Sequence, residues 1–451
     1  MDGASGRSGL VTRGYRCGPR RAMQRAVRPA VLRYGVAVGA DAGGEQQGPA
    51  IEVLLERAVA RGRVLGRDDG GRVVLVEGAL PGERAMVALQ RDTPRFASGA
   101  ATEVLEAAPG RVEPPCPHVA AGCGGCDLQH ATPELQAEMR LDVVRDALSH
   151  LGGMPRAQVA ALPIEQVEPS VPRHYRTTLR LAVAGGRAAL RHRRSHDPVR
   201  IPTCLVAHPL LAPVLADGHF GVAREVTVRA SVATGEVLAV VSPSAEGVVV
   251  PDGVRVVGDD ELSGGERVWF SEAVDGHRLR VSARSFFQSG PLTAAALCRA
   301  VRRAVGDFDP EADRFVDLYG GIGLFTVLLG ARRSEVVERS GSAVADARVN
   351  CSDLGARVVK VGVGRWRPSA ADVVVADPSR EGLGAEGVAA VTGTGARRVV
   401  LVSCDPAALG RDVALLRRAG LVLDGVEVVD MFPHTHHVET VSRVTPGSAG
   451  G

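Results

Sequence analysis

What this 451-residue chain lacks excludes several classes of protein. No apolar run approaches the ~18 residues that a membrane-spanning helix needs, and the Arg-rich N-terminus lacks the apolar core of a secretory signal. Eight cysteines are too few for a disulfide scaffold of this length. We therefore expect a cytoplasmic protein that has no membrane partner and whose thiols are free for other chemistry.

The charge of the chain is also small and gives no reason to expect a nucleic-acid partner. The net charge is +3, and eight arginines against three acids in residues 1–48 leave the rest of the chain close to −2. Lys360 is the only lysine. A coding bias toward arginine explains this as well as phosphate recognition does.

The sequence divides into an extension and three domains. Residues 1–48 are rich in Arg and Gly without hydrophobic periodicity, and we expect them to be disordered. Over residues 49–110, short Val- and Leu-rich runs alternate with Gly turns, a pattern typical of a small β-barrel. Hydrophobic residues make up 45% of the chain, enough to bury the cores of two or three domains.

A central, β-rich domain, taken as residues 111–280, carries clustered cysteines. Cys116, Cys123 and Cys126 are separated by six and two residues, and Cys204 lies further along. Four thiolates can bind one metal centre, and a structural zinc site is the generic interpretation. Residues 133–150 have helical periodicity. A run of arginines follows, which indicates either an RNA-phosphate surface or a solvated face: Arg173, Arg176, Arg180, Arg187, Arg191, Arg193, Arg194 and Arg200.

The last domain, residues 281–451, alternates strands with helices and predicts a doubly wound α/β sheet. A strand ending near Asp317 runs into a Gly-rich turn that a ligand can approach closely. Glu338 ends the next strand, 21 residues after Asp317, which is about the spacing at which a carboxylate reaches a ribose. Asp377 and Glu439 are carboxylates near two later turns.

Cys404 is the candidate nucleophile of this domain. Residues 398–403 form an apolar, β-branched run that predicts a buried strand, and Asp405-Pro406 opens a helix directly after it. A cysteine before a helix start lies near backbone N–H groups, which favour the thiolate. The alternative is a small buried hydrophobic residue.

Five ordered motifs resemble those of the RNA 5-methyluridine methyltransferase family, whose members use S-adenosylmethionine. They stand here as Phe287-Gln288, Asp317 to Phe325, Asp377 to Gly382, Ser403 to Pro406, and Met431 to Glu439. The turn from Ala79 to Arg84 is similar to that of the TRAM module, an OB-like barrel of RNA-modifying enzymes. The resemblance covers most of the chain from about residue 49 onward.

The resemblance implies a role for each site residue. Cys404 adds to C6 of uracil, C5 takes the methyl group, and Glu439 removes the C5 proton. Four residues are implied as cofactor contacts: Gln288, Tyr319, Glu338 and Asp377. Glu338 is also a candidate from its spacing after Asp317.

The resemblance also implies the architecture and the second cofactor. We expect a Rossmann-like methyltransferase domain behind an OB-like TRAM barrel, with a 4Fe–4S cluster bound by Cys116, Cys123, Cys126 and Cys204 in place of zinc. The methyl transfer is polar, so the cluster is expected to have a structural or RNA-positioning role. The expected protein is a monomer that acts on ribosomal RNA.

Some positions depart from the family pattern. Gly320 replaces the usual Cys, Leu324 an Asn, Ser379 the second Pro, and Asp405 an Asn. The first helix after the Gly-rich turn is short, and Val361-Gly-Val-Gly lacks an acidic or amide residue for the adenine. These departures affect the cofactor pocket and leave the nucleophile and the base in place.

Three other functions remain open. The chain can be a transfer-RNA uracil-5-methyltransferase, or a metal-bearing RNA-binding protein whose methyltransferase domain has lost activity. It can also be an unrelated α/β enzyme with a zinc site. Formation of 5-methyluridine in RNA distinguishes the methyltransferase readings from the other two.

Overall fold

The computed structural model of the protein describes residues 49–168, 171–193 and 195–447. The predicted disordered extension, residues 1–48, lies outside the described residues. Within them, no helix combines the length and the apolar character that crossing a membrane requires.

The chain begins with a closed five-stranded barrel. Its strands are β1 (Ala50–Val59), β2 (Arg63–Arg67), β3 (Val73–Glu77), β4 (Arg84–Asp92) and β5 (Phe96–Glu106), in the order β1-β2-β3-β5-β4. Alternate Val and Leu side chains fill the interior because successive residues of a strand point to opposite faces. The buried carboxylate of Glu83 accepts hydrogen bonds from the Leu80 and Ala108 N–H groups and pairs with Arg111. The small β-barrel predicted for this part of the chain is confirmed.

A helical segment follows the barrel. It contains α1 (Pro117–Ala120), α2 (Pro133–His150), α3 (Arg156–Ala161) and a short strand, β6 (Ile164–Val167). The Thr132 hydroxyl caps α2 by accepting from the Leu135 N–H at 3.3 Å, and Pro133 occupies the first turn. The helix therefore spans the range that its periodicity predicts.

The central sheet has six strands, in the order β14-β12-β11-β7-β8-β9. Its elements are β7 (Thr178–Ala184), β8 (Arg187–Arg191), β9 (Pro198–Arg200), α4 (Ala212–Asp217), β10 (His219–Phe220), β11 (Glu225–Ala230), β12 (Val237–Ser242), β13 (Val248–Val249), β14 (Val254–Gly258) and α5 (Asp259–Gly264). β10 and β13 pair separately, and a 3-10 turn covers Pro209–Leu211. A hairpin of β15 (Trp269–Val274) and β16 (His277–Ser282) then leads to α6 (Pro291–Val305).

The last sheet has eight strands, in the order β19-β18-β17-β20-β21-β23-β22-β6. Its strands and the helices between them are β17 (Arg314–Leu318), α7 (Leu324–Leu329), β18 (Arg333–Glu338), α8 (Gly341–Asn350), β19 (Arg357–Lys360), β20 (Val373–Ala376), α9 (Gly384–Gly393), β21 (Arg398–Ser403), α10 (Pro406–Arg418), β22 (Leu421–Val429) and β23 (Glu439–Pro446). Short 3-10 turns cover Ser352–Leu354 and Val363–Arg365. Helix α7 has only six residues, which agrees with the short first helix expected from the sequence.

Two features of this sheet place the candidate site. Strands β17 to β22 run parallel, and β23 enters antiparallel between β21 and β22. Apolar side chains pack on both faces, Val375 and Val400 in one cluster and Val374 and Leu401 in the other. The predicted doubly wound sheet is confirmed, and its carboxyl edge is where such sheets bind ligands. Strand β6, from the middle of the chain, extends the sheet by pairing with β22.

Candidate active site

Cys404 lies at the carboxyl edge of the sheet, between β21 and α10. The Asp405 side chain caps α10 by accepting from the Ala408 N–H at 2.7 Å, and Pro406 fills the first turn. Strand β21 is buried over Val399–Ser403, so both elements that flank the thiol are held firmly. The half-buried Cys404 side chain is thus fixed at the position that the sequence predicts.

Glu439 reaches the same edge because β23 is antiparallel. Ser403 lies opposite Thr440 in the ladder, and the Thr440 hydroxyl donates to the Ser403 carbonyl at 3.1 Å. Continuing this register by one residue brings Glu439 beside Cys404. Burial, with the nearby Asp377 carboxylate, raises the pKa of Glu439 well above its usual value.

Asp377 follows β20, the strand next to β21. Its N–H donates to the Leu318 carbonyl at 3.2 Å, which holds it at the end of the sheet. Burial raises its pKa to about 7. Cys404, Glu439 and Asp377 therefore form one group, in which the Asp377 carboxylate makes ionisation of the buried Glu439 harder.

The expected stabilisation of the Cys404 thiolate is wrong for the free protein. Burial, followed by the Glu439 and Asp377 carboxylates, raises the pKa of the thiol to about 12, against a smaller opposing effect of the Arg380 guanidinium. The start of α10 favours an anion, but the two carboxylates were not visible as neighbours in the sequence. Cys404 is therefore a protonated thiol at neutral pH.

The Gly-rich turn after β17 is fastened by the carboxylate of Glu338. Its two oxygens accept from the Gly321 N–H at 3.1 Å and the Ser340 N–H at 2.6 Å. A Cβ on Gly320 would lie 2.7 Å from Val336 Cγ1 and 2.9 Å from Asp317 Cγ. In this chain a side chain at position 320 would therefore displace Val336 or Asp317.

Asp317 is a site residue that sequence reasoning used only as a marker for spacing. It is fully buried, and Thr326 donates to Oδ2 through its hydroxyl at 2.9 Å and its N–H at 3.3 Å. Oδ1 has no hydrogen-bond partner among the described residues. Burial, together with the Asp377 and Glu338 carboxylates, raises the pKa of Asp317 to about 7. The signal was available, because Asp317 is a carboxylate inside an otherwise apolar strand.

Tyr319 lies beside α9, and Gln288 lies in the segment before α6. Tyr319 has a left-handed backbone (φ 59°), and a Cβ on Gly387 of α9 would come within 2.9 Å of its hydroxyl. Gln288 is buried in the segment before α6. That segment is tied to α8, since the Ser285 hydroxyl donates to the buried Asp346 carboxylate at 2.6 Å. The roles of Tyr319 and Gln288 as cofactor contacts stay predictions.

The Val361-Gly-Val-Gly turn has no acidic residue of its own, but α9 places one beside it. The Glu386 carboxylate of α9 occupies the space that a Cβ on Gly364 would need. A carboxylate thus lies beside this turn although the turn itself supplies none. Only the folded chain reveals this, because Glu386 is 22 residues away along the chain.

The four predicted metal ligands line one cavity. Cys116, Cys123, Cys126 and Cys204 surround it with apolar neighbours such as Leu179 and Ile201, and none of the four is in a disulfide. Burial raises the pKa of Cys126 to about 12, against a hydrogen bond from Gln129. In the described part of the chain, however, no three His, Cys, Asp or Glu side chains are arranged to hold a metal ion. The donor set suits a metal group, but the thiols do not converge as a single zinc ion requires.

The fold and the site together define the class of the protein. A doubly wound sheet with one antiparallel strand, a Gly-rich turn after β17 and a carboxylate after β18 make up a Rossmann-like enzyme of the methyltransferase class. Residues 44–102 match the TRAM domain, which confirms the type of the barrel.

Relatives define the family. The chain is 31% identical over 433 residues to an uncharacterized RNA methyltransferase of Streptomyces avermitilis, covering 89% of this chain and all of that protein. It is also 31% identical over 415 residues to the 23S rRNA (uracil(1939)-C(5))-methyltransferase RlmD of Erwinia tasmaniensis, covering 82% and 91%. The chain therefore belongs to the RNA 5-methyluridine methyltransferase family and is an RNA methyltransferase. Membership supports S-adenosylmethionine as the cofactor.

A solved structure agrees on the fold. The tRNA (uracil-54, C5)-methyltransferase of Pyrococcus abyssi, in complex with S-adenosyl-L-homocysteine, superposes with a TM-score of 0.64 at 23% identity. The match covers 86% of this chain and 99% of that one. At this identity the likeness concerns the fold alone.

The raised pKa of Cys404 predicts how the thiol reacts with iodoacetamide. Because only the thiolate reacts, alkylation of Cys404 should be slow at pH 7 and rise about tenfold per pH unit toward pH 10. Asp377→Asn removes a negative neighbour and should speed alkylation at pH 8, whereas Arg380→Gln should slow it. Peptide mass spectrometry measures the modified fraction at Cys404. A rate that is already constant above pH 7 would show that the thiol is ionised and contradict this electrostatic picture.

Proposed function

We propose that the protein is an S-adenosylmethionine-dependent methyltransferase that forms 5-methyluridine in RNA through a covalent adduct with Cys404. The observation that carries the proposal is the shared position of Cys404 and Glu439 at one edge of the sheet, with Asp377 beside them. A thiol and a carboxylic acid side by side at this edge are the two groups that this reaction needs.

Uracil requires covalent catalysis because its C5 is a poor nucleophile. Addition of Cys404 Sγ to C6 makes C5 enolate-like, and C5 then takes the methyl group that S-adenosylmethionine supplies. Glu439 removes the C5 proton, and elimination of Sγ restores the double bond. The thiol proton leaves as Sγ attacks. Asp377, with a pKa of about 7, can hold that proton and return it on elimination.

The residues around the Gly-rich turn are proposed to hold the cofactor. The turn after β17 and Glu338 offer backbone and carboxylate groups at the position where doubly wound folds bind a nucleoside. Gln288, Tyr319 and Asp377 complete the proposed set. Asp317 is added to this set, because it lies at the same strand end and its buried Oδ1 has no hydrogen-bond partner among the described residues.

We propose ribosomal RNA as the substrate, with transfer RNA as the alternative. The relative from Erwinia tasmaniensis, which acts on 23S rRNA by its name, aligns over 91% of its length at 31% identity. The match to the transfer-RNA enzyme has only 23% identity and concerns the fold. Mapping the uridine that loses its methyl group on gene deletion decides between the two.

A 4Fe–4S cluster is the proposed occupant of the cysteine cavity. In such a cluster each thiolate binds a different iron, so four thiols can surround a cavity without converging on one point. The apolar lining, which includes Leu190 and Val206, keeps water from the site. Cys116, Cys123, Cys126 and Cys204 would hold the group, and its expected role is structural.

The metal content tests this proposal. Protein purified without oxygen should be brown and contain iron and acid-labile sulfide. Cys204→Ser should lower both, whereas Cys298→Ser, a buried cysteine of α6 outside the cavity, should not. Elemental analysis and the visible spectrum measure the result. Stoichiometric zinc without iron would contradict the cluster proposal and indicate a zinc site.

The division of labour between Cys404 and Glu439 tests the mechanism. Cys404→Ala should abolish turnover and form no covalent RNA–protein species. Glu439→Gln should allow addition and methylation but slow release, so that an RNA adduct resistant to denaturation accumulates. Each change should lower the rate at least ~10²-fold. Denaturing gels of protein with labelled RNA, and detection of 5-methyluridine, measure both effects. Near-normal methylation by Cys404→Ala would make the thiol a packing residue.

The arginine-rich segment is the proposed RNA-docking surface, but its arginines are not equivalent. Arg180 and Arg191 pair with Glu225 at 2.6 and 2.9 Å, and Arg187 donates to the carbonyls of Asp217 and Gly218. Arg194 lies outside the described residues. Arg173 and Arg200 are exposed and have no ion pair in the described part of the chain, so these two guanidinium groups are free for phosphate.

The salt dependence of RNA binding tests this surface. Arg173→Gln with Arg200→Gln should weaken binding and reduce the slope of log K against log salt by about one unit per lost contact. The matched pair Arg180→Gln with Arg191→Gln should change the slope less, because the Glu225 carboxylate already offsets part of the positive charge of these two side chains. Filter binding at several salt concentrations gives the slopes. Equal slopes for the first double variant and the unmodified protein would assign the segment to a solvated face.

A further inference from the structure

The loop that leads to Glu439 is held by residues 116–150, the cysteine-bearing segment, which contains Cys116, Cys123, Cys126 and helix α2. Residues 430–438 connect β22 to β23, and Glu439 is the first residue of β23. The Asp127 and Leu128 N–H groups both donate to the His434 carbonyl, at 3.0 and 2.9 Å. The His434 N–H donates to Gln136 Oε1 of α2 at 2.8 Å. Both peptide groups of this residue are thus bound by elements far away in sequence.

The backbone of the loop needs such support. His434 has a φ of 67°, a left-handed conformation that costs free energy for a residue other than glycine. Further contacts come from Arg140, which pairs with Asp430 at 3.1 Å, and from Tyr175, whose hydroxyl donates to the Pro433 carbonyl at 3.2 Å. The loop is therefore shaped largely from outside its own sheet.

Asp127 connects the cysteine cavity to the loop that leads to Glu439. It follows Cys126 directly, and its carboxylate accepts from the His436 N–H at 2.9 Å and contacts His436 Nδ1. His436 is three residues before Glu439. Gly62 of the barrel closes over this pair, because a Cβ there would lie 2.7 Å from Asp127 Oδ2 and 3.1 Å from His436 Cβ.

The nucleophile is held by different contacts. Cys404 is fixed by β21 and by the Asp405 cap of α10, and neither involves the 430–438 loop. Loss of the Asp127 contacts should therefore move the base and leave the thiol in place. A change at Asp127 should therefore affect the position of Glu439 more than that of Cys404.

From these contacts we infer that Asp127 is a positioning residue for Glu439, acting through His436 and selective for the step that removes the C5 proton. The inference rests on the proposed function, since it needs Glu439 to be the base. It assigns to the cysteine-bearing segment a part in catalysis that its distance along the chain conceals. The contact joins residues 309 positions apart.

The test is a search for trapped adduct. Asp127→Ala removes both acceptors of His436, so addition by Cys404 should proceed while release slows, and a denaturation-resistant RNA adduct should accumulate as it does with Glu439→Gln. Turnover should fall about tenfold or more. Asp127→Asn keeps an oxygen for the His436 N–H and should restore most of the turnover. Denaturing gels with labelled RNA measure the adduct, and hydrogen exchange of amides 434–440 measures the loop.

Asp146→Ala is the matched control. Asp146 is also a partly exposed carboxylate of this segment, but its partners are Arg57 of the barrel and His150 of α2. It should leave adduct level and amide exchange unchanged.

Two outcomes separate the inference from the proposed function. If Glu439→Gln traps adduct and Asp127→Ala loses turnover without trapping it, Asp127 acts only on stability and the inference fails. If neither variant traps adduct, and Cys404→Ala still methylates RNA, the proposed mechanism itself fails. Faster exchange at 434–440 in Asp127→Ala, with β21 amides unchanged, supports the positioning role.

Discussion

The antiparallel entry of β23 between β21 and β22 is the constraint on which the site depends. In an all-parallel sheet, all strands begin at one edge and all strands end at the other. Reversal of β23 brings its first residue, Glu439, to the edge where β21 ends at Cys404. A base and a nucleophile 35 positions apart in sequence thus become neighbours without a long loop of their own.

The same edge brings several carboxyl groups together in surroundings that disfavour their ionisation. Asp317, Asp377 and Glu439 all have pKa values raised by burial, and the Asp377 carboxylate makes ionisation of the other two harder. The thiol of Cys404 is affected in the same direction. The free protein therefore holds protons that the reaction must move. A substrate that brings hydrogen-bond donors and displaces water would change these equilibria at the moment of binding.

Sequence reasoning succeeded where information is local. The strand before Cys404, helix α2 and the short α7 follow from periodicity and caps, and the family motifs added the order of the sites. It failed on electrostatics, because the thiolate at the start of α10 was judged without Glu439 and Asp377 beside it. It also missed Glu386 over Gly364 and Asp127 on His436, since both contacts join segments that share no pattern. Long-range contacts of this kind are set by packing, and no window of residues contains them.

Because of strand β6, the last domain is built from two separate parts of the chain. Residues 164–167 pair with Val426–Val429 and cover the outer side of β22, although the alternation of strands and helices in the sequence predicts a domain that begins at residue 281. Helix α2, from the same early segment, also packs on α10, where a Cβ on Gly410 would touch the Ala147 carbonyl. A chain cut at residue 281 would expose the N–H and C=O groups of β22 as an open edge, a template for pairing with other chains. The central sheet is in this sense an insertion inside a discontinuous enzyme, and the molecule would aggregate if divided where its sequence looks divisible.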